Sequence, residues 1–240
     1  MAHSLYITGT EGSSGKTVVT LGLMHFLQSQ VRKVAFCRPS IDSEDEDRRD
    51  CIINRFLEHF ELDMLYRGTY ACTYKEALEL VTSGNMSLLI EKIFQKYKAL
   101  ENEYDFVLCQ GTDFRDKDTA VQFELNSEIA ASLNIPLALV INGKDKSLDA
   151  IQASVRSNLE LLKDKRREVG CVFVNRVSFT TEDCPTCAST IIEGSGAFTP
   201  LFFISETPAL CNPSVGEVQK WMNADVLFGQ EGLHNLVHDY

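Results

Sequence analysis

The nine residues Gly9-Thr10-Glu11-Gly12-Ser13-Ser14-Gly15-Lys16-Thr17 decide how this chain is read. They follow the apolar run Leu5-Tyr6-Ile7-Thr8 and precede a segment in which Val19, Leu23, Phe26 and Leu27 share one helical face. A strand, a turn of small residues and a helix in that order make a phosphate-binding loop. Small side chains let backbone N–H groups turn toward phosphate oxygens, and the helix N-terminus adds partial positive charge. Lys16 then reaches the β- and γ-phosphates, and Thr17 ligates Mg²⁺. The candidate phosphate-binding residues are therefore Thr10, Gly12, Ser13, Ser14, Gly15, Lys16 and Thr17. The strict motif has glycine five residues before Gly15, where this chain has Thr10. Binding and turnover are separate expectations, because a fold does not carry its chemistry with it.

Working outward, short apolar runs alternate with longer segments of helical period, the pattern of βαβ units. Val34-Ala35-Phe36-Cys37 reads as a strand stopped by Pro39. Helical patterns cover Cys51 to Phe60 and Ser87 to Leu100, ahead of a strand at Phe106-Val107-Leu108-Cys109. A helix near Glu124 to Leu133 leads to Pro136 and the strand Leu137-Ala138-Leu139-Val140-Ile141. A helix from Leu148 to Lys163 precedes strands at Gly170 to Asn175 and Leu201 to Ile204. These strands are almost continuously apolar, as strands covered on both faces must be. The expected fold is α/β: a three-layer α/β/α P-loop NTPase-like fold with a mainly parallel central sheet, its core closing near Phe203.

Composition narrows the function. The 240 residues carry 34 acidic and 23 basic side chains, a net charge of −11, which disfavours a general nucleic-acid binder. No apolar run approaches the ~20 residues of a bilayer span, and the start Met1-Ala2-His3-Ser4 is unlike a signal peptide. The expectation is a cytoplasmic protein with no membrane partner. Its eight cysteines then read as reduced thiols, several of them in apolar strands.

Turnover on such a loop calls for a carboxylate at the end of a neighbouring strand, to hold the metal or its water. The strand through Cys109 ends instead in Gln110-Gly111, and a neutral amide cannot offset a cation's charge. Asp47, in the acidic stretch Asp42 to Asp47, is a candidate metal residue beside Thr17, set against a solvated loop. Arg38 faces phosphate or an anionic substrate, or else forms a surface ion pair. Asn175 reads a base edge or closes a turn. Cys184-Pro185-Thr186-Cys187 has zinc-knuckle spacing without a second pair, and His234 and His238 stand i, i+4 near the end. A plain loop and a solvated terminus are the readings preferred for these two.

The loop resembles the Gly-Thr-Asp-Thr-x-x-Gly-Lys-Thr loop of dethiobiotin synthetase-like P-loop proteins, including the threonine at the departing position. Further segments carry the resemblance over nearly the whole chain: Cys37-Arg38-Pro39-Ser40-Ile41, Gln110-Gly111-Thr112-Asp113-Phe114, Phe123 to Leu133, and Gly170 to Arg176. Pro213 to Val218 and Asn223 to Gly229 continue it. In that order they are similar to the N-terminal domain of long-form bacterial phosphate acetyltransferases. The resemblance implies a sensory or structural domain, residues 1–211, with residues 212–240 as connector and start of a following regulatory domain. Mg²⁺ with ATP or ADP, or another anionic effector, is the ligand then expected at the loop. Its implied partners are downstream regulatory and acyltransferase domains of the same full-length protein, in a homo-oligomer, and no catalytic residue carries over. The alternative is an ATP-dependent ligase of the dethiobiotin synthetase type, whose lysine and acid correspond to Arg38 and Gln110 here. Val226-Leu227-Phe228 reads as a fresh strand and Gly232 to Tyr240 as a further element, so a continuing polypeptide is expected.

Overall fold

The computed structural model describes residues 3–12, 14–41, 49–112, 119–178, 199–207 and 212–237, with only the backbone of 119–121. The phosphate loop joins β1 (His3–Gly9) to α1 (Lys16–Gln30). The chain continues through β2 (Val34–Ile41), α2 (Cys51–His59), β3 (Tyr70–Thr73), α3 (Tyr74–Thr82) and α4 (Met86–Glu103). Then come β4 (Phe106–Gln110), α5 (Thr119–Ser132), β5 (Leu137–Asn142), α6 (Leu148–Asp164), β6 (Val169–Val177), β7 (Leu201–Ser205) and α7 (Val215–Met222).

The seven strands form one sheet in the order β3-β2-β4-β1-β5-β6-β7, and every pairing is parallel. Helices cover both faces, so the expected three-layer α/β architecture is the one observed. Ile53 and Phe56 of α2 and Val19, Met24 and Leu27 of α1 pack on one face against Ile7, Phe36 and Val140. Phe36 stacks on Phe56 with centroids 4.0 Å apart. Leu89, Ile93 and Tyr97 of α4, Ile129 of α5 and Ile151 and Val155 of α6 pack on the other, against Val107, Leu139 and Val174. The chain moves outward from β1 on one side, then returns past it to build the other, which leaves a crevice at the carboxyl end of β1. The phosphate loop lies there.

Several expectations are corrected. Phe26 does not share the buried face of α1; it is exposed, and Met24 and Thr20 are buried instead. Strand β2 does not stop at Pro39. Arg38 N donates to Thr69 O on the β3 side, so the proline nitrogen faces the β4 side, where pairing ends at Cys37 and Cys109. No ladder bond is lost there. Strand β3 and helix α3 were not expected at all. Val226-Leu227-Phe228 is not a strand, and Leu227 and Phe228 lie in solvent. Among the described residues no helix is long and apolar enough to cross a membrane.

Candidate nucleotide site

The loop geometry explains its own sequence. Gly15 takes φ 85°, left-handed backbone, and a Cβ there would collide with the Asn175 amide. A Cβ on Gly9 would collide with Ser14 Oγ. Thr10 is not among the residues with positive φ, so its side chain is tolerated where the strict motif has glycine. Its N–H is anchored to Val140 O at 3.3 Å. Close backbone approach has therefore moved to Gly9, one residue earlier.

Lys16 is buried and its ammonium donates to Gly111 O at 3.2 Å, which aims it across the loop toward the end of β4. The helix that follows opens without any side-chain cap. Its first N–H groups thus remain directed at the loop mouth, where an anion would satisfy them. Gly12 is exposed at the rim. Ser13 and Asp47 lie outside the described residues, as do Cys184, Cys187 and His238.

Asn175, at the end of β6, is buried, and its Nδ2 donates to Ser14 O at 3.0 Å. It therefore holds the loop from the end of β6. Gln110 Nε2 donates to Thr17 Oγ1 at 3.1 Å, and Gln110 Oε1 is buried with no partner. The Thr17 hydroxyl is thus oriented by an amide in the place where a carboxylate would balance a cation. Among the described residues no group of three metal-ligating side chains occurs.

Arg38 meets a different environment from either expectation. It pairs with Asp50, and both side chains are 8% exposed, so the pair is buried rather than superficial. Asp50 also caps α2, its Oδ1 accepting from Ile52 N at 2.9 Å and Ile53 N at 3.1 Å. Tyr66 Oη accepts from Asp50 N at 2.7 Å. The cation is thereby neutralised by the protein. Asp50 was missed in the sequence, although an Asp directly before a helical period is the usual N-cap signal.

Ser40 and Thr112 complete the floor. Thr112 Oγ1 donates to Ser40 O at 2.7 Å, and Gly111 N donates to Ile7 O at 2.8 Å, which ties the ends of β1, β2 and β4 together. Asn126 Nδ2 reaches Thr112 O at 3.2 Å while its Oδ1 accepts from Tyr6 Oη at 2.8 Å. Glu11, in the loop, pairs with Lys146 at 2.9 Å. The buried hydroxyls of Thr8, Ser14 and Ser40 and the Arg38 Nε have no protein partner. Buried polar groups are normally satisfied, and these unpaired ones lie in the phosphate loop and in β1 and β2. The glycine cradle and these hydroxyls fit a phosphate group.

The sequence profile of the family described as "AAA domain" matches residues 3–212. The chain belongs to that family. A phosphate acetyltransferase of Nitratidesulfovibrio vulgaris is 42% identical over the whole of this chain, and one of Synechocystis is 29% identical over the whole chain. The chain spans about a third, 34%, of the length of each. An ATP-dependent dethiobiotin synthetase of Clostridium perfringens is 25% identical over 59% of the chain and 66% of that protein. As an AAA domain the chain thus has two kinds of relative, and the longer kind resembles it throughout.

Proposed function

We propose that this AAA domain is the nucleotide-responsive, non-acyltransferring part of a phosphate acetyltransferase, the enzyme class that interconverts acetyl-CoA and phosphate with acetyl phosphate and CoA. Its phosphate loop takes ATP or ADP, and occupancy biases acyl transfer performed by polypeptide outside residues 1–211. The observation that carries the reading is the pairing of an intact cradle with a neutral metal corner. Gly15, Lys16 and uncapped α1 are arranged for phosphate, whereas Gln110 orients Thr17 where hydrolysis would call for an acid.

In this reading Thr10, Gly12, Ser13, Ser14, Gly15 and Lys16 line the phosphates. Thr17 and Asp47 would hold Mg²⁺, and Asn175 would face the base. Mg²⁺ would supply charge neutralisation between the phosphates, and the chain's own part is to orient the Thr17 hydroxyl. Arg38 lies beside the anion and acts through position rather than free charge. The identity over the full chain with two phosphate acetyltransferases supports the assignment to that class. Dethiobiotin-type ligation is disfavoured by two observations: Arg38 is committed to Asp50, and Gln110 replaces the acid.

Calorimetric titration with ATP and with ADP, each with Mg²⁺, tests the proposal. Binding is expected, weakened at least about tenfold in Lys16→Ala, since a charge-assisted contact to phosphate is removed. Absence of heat at millimolar nucleotide overturns it. ADP release dependent on diaminopelargonate and bicarbonate would instead establish the ligase.

A further inference from the structure

Strands β2 and β4 carry Cys37 and Cys109 opposite one another in register, and the two sulfurs lie 2.9 Å apart. Both are free thiols and both are buried, Cys37 at 7% exposure and Cys109 at 1%. Neighbouring strands run about 4.8 Å apart, inside the Cα separation of about 4.4–6.8 Å that a disulfide requires. Joining the sulfurs asks them to approach by only about 0.9 Å more. The pair also borders the nucleotide site. After Cys109 comes Gln110, whose amide donates to Thr17 Oγ1 at 3.1 Å, and then Gly111, whose carbonyl receives Lys16 Nζ at 3.2 Å. The β2–β4 ladder ends at Cys37 and Cys109, and β4 lies between β2 and β1. Drawing Cys109 toward β2 therefore strains both contacts, because it pulls the end of β4 away from β1, the strand that carries the phosphate loop.

Resting on the nucleotide reading of that loop, we infer that Cys37 and Cys109 are a redox-modified pair: a peroxide closes a disulfide between them and thereby loosens the loop's hold on nucleotide. Cys37, the more exposed of the two, attacks one oxygen of hydrogen peroxide as its thiolate. The O–O bond breaks, leaving a Cys37 sulfenic acid, and the expelled hydroxide takes the thiol's proton to become water. The Cys109 sulfur then attacks the Cys37 sulfur. An S–S bond forms, the S–O bond breaks, and the departing hydroxide leaves with the Cys109 proton as a second water. The two thiols lose two electrons and two protons, and the peroxide gains both. The hydrogen bond with Cys37 and burial keep the Cys109 thiol protonated, so closure is slow at neutral pH and faster in alkali. The pair thus answers sustained oxidation rather than a brief pulse.

To test this, the reduced chain is treated with hydrogen peroxide, the remaining thiols are capped with N-ethylmaleimide, and the tryptic peptides are weighed without reductant. The peptides that carry Cys37 and Cys109 hold no other cysteine, so their joined mass identifies the bond. That mass is expected to appear with peroxide and to vanish with dithiothreitol. Calorimetry of the same samples with ATP and Mg²⁺ is expected to show binding weakened about threefold to tenfold by peroxide, the worth of one hydrogen bond, and restored by dithiothreitol. Cys109→Ala should bind as the reduced parent does and lose the response to peroxide, with unchanged circular dichroism verifying its fold. Oxidation confined to the exposed Cys51 and other thiols, with no joined mass in the parent chain, overturns the pair whatever the variant does. A joined mass with unaltered affinity overturns the loosening. If the reduced chain itself binds no nucleotide, the nucleotide reading falls and the loosening with it, while the joined mass still decides whether the disulfide forms.

Discussion

Asp50 does three things with one carboxylate. It receives two N–H groups at the start of α2 and holds the buried Arg38 guanidinium of β2. A buried pair contributes little compared with an apolar substitute, but removal of one member strands the other charge in a dry site. Asp50→Ala should therefore cost about 3 kcal/mol or more, read from urea denaturation, because the uncompensated Arg38 adds to a lost cap of about 1 kcal/mol. A cost below about 1 kcal/mol would mean the pair is not formed. The sequence offered Arg38 as a cation in search of an anion. What it could not show is that the anion is twelve residues along and inside the protein, since pairing across a loop leaves no periodic trace. Gln110 and Lys16 were legible because strand ends and motif positions are local. The Asn175 contact with Ser14 O was not, since it joins residues 161 apart and depends on sheet order.

Elements with near-continuous apolar runs or long helical periods were legible, and β3 and α3 were not. β3 spans four residues, Tyr70–Thr73, at the sheet edge, and α3 begins directly after it with no intervening loop. Tyr70-Ala71-Cys72-Thr73 lacks the near-continuous run of large apolar residues that marks the other strands. The signal that was present is chemical: Thr73 and Glu76 form a capping box, with Glu76 N to Thr73 Oγ1 at 3.2 Å and Thr73 N to Glu76 Oε2 at 3.0 Å. Val226 to Phe228 failed the opposite way, as an apolar triplet that joins neither edge of the sheet. The box has a measurable consequence. The Thr73 N–H, then Lys92, hold the Glu76 carboxyl below its ordinary value of 4.5. A lowered folded value means stabilisation that is full above the unfolded value and disappears as pH falls through the folded one. Glu76→Gln should thus cost about 0.5 kcal/mol at neutral pH, and the difference from the parent chain should vanish in acid. A difference that persists unchanged at low pH would assign the effect to packing rather than charge.

At the scale of the whole molecule, acidic and alkaline limits come from different layers. The lowered carboxyls, Glu76, Glu206 and Glu217, sit at caps and surface pairs. The raised groups are in the sheet and against it. Burial lifts the Tyr6 hydroxyl well above its usual range, lifts Tyr97 to about 12 and lifts the Cys171 thiol to about 11. Cys109 rises because it shares a hydrogen bond with Cys37, at 2.9 Å across β2 and β4, and because it is buried. These groups stay neutral in the folded chain but ionise in the unfolded one. Their stabilisation is complete below the unfolded thiol value of 9.0 and is lost as pH rises toward the folded values. The urea midpoint should therefore hold level on the alkaline side of neutrality, then fall from pH 9 to about 11 as the thiols and then the tyrosines ionise in the unfolded chain. General repulsion in a chain of net charge −11 also grows with pH, so the decline needs an internal reference. Cys171→Val removes one thiol from β6 without altering the charge at neutral pH. Its midpoint should decline less steeply over that interval than the parent's, and two parallel curves would show that repulsion, not the buried thiol, sets the alkaline limit.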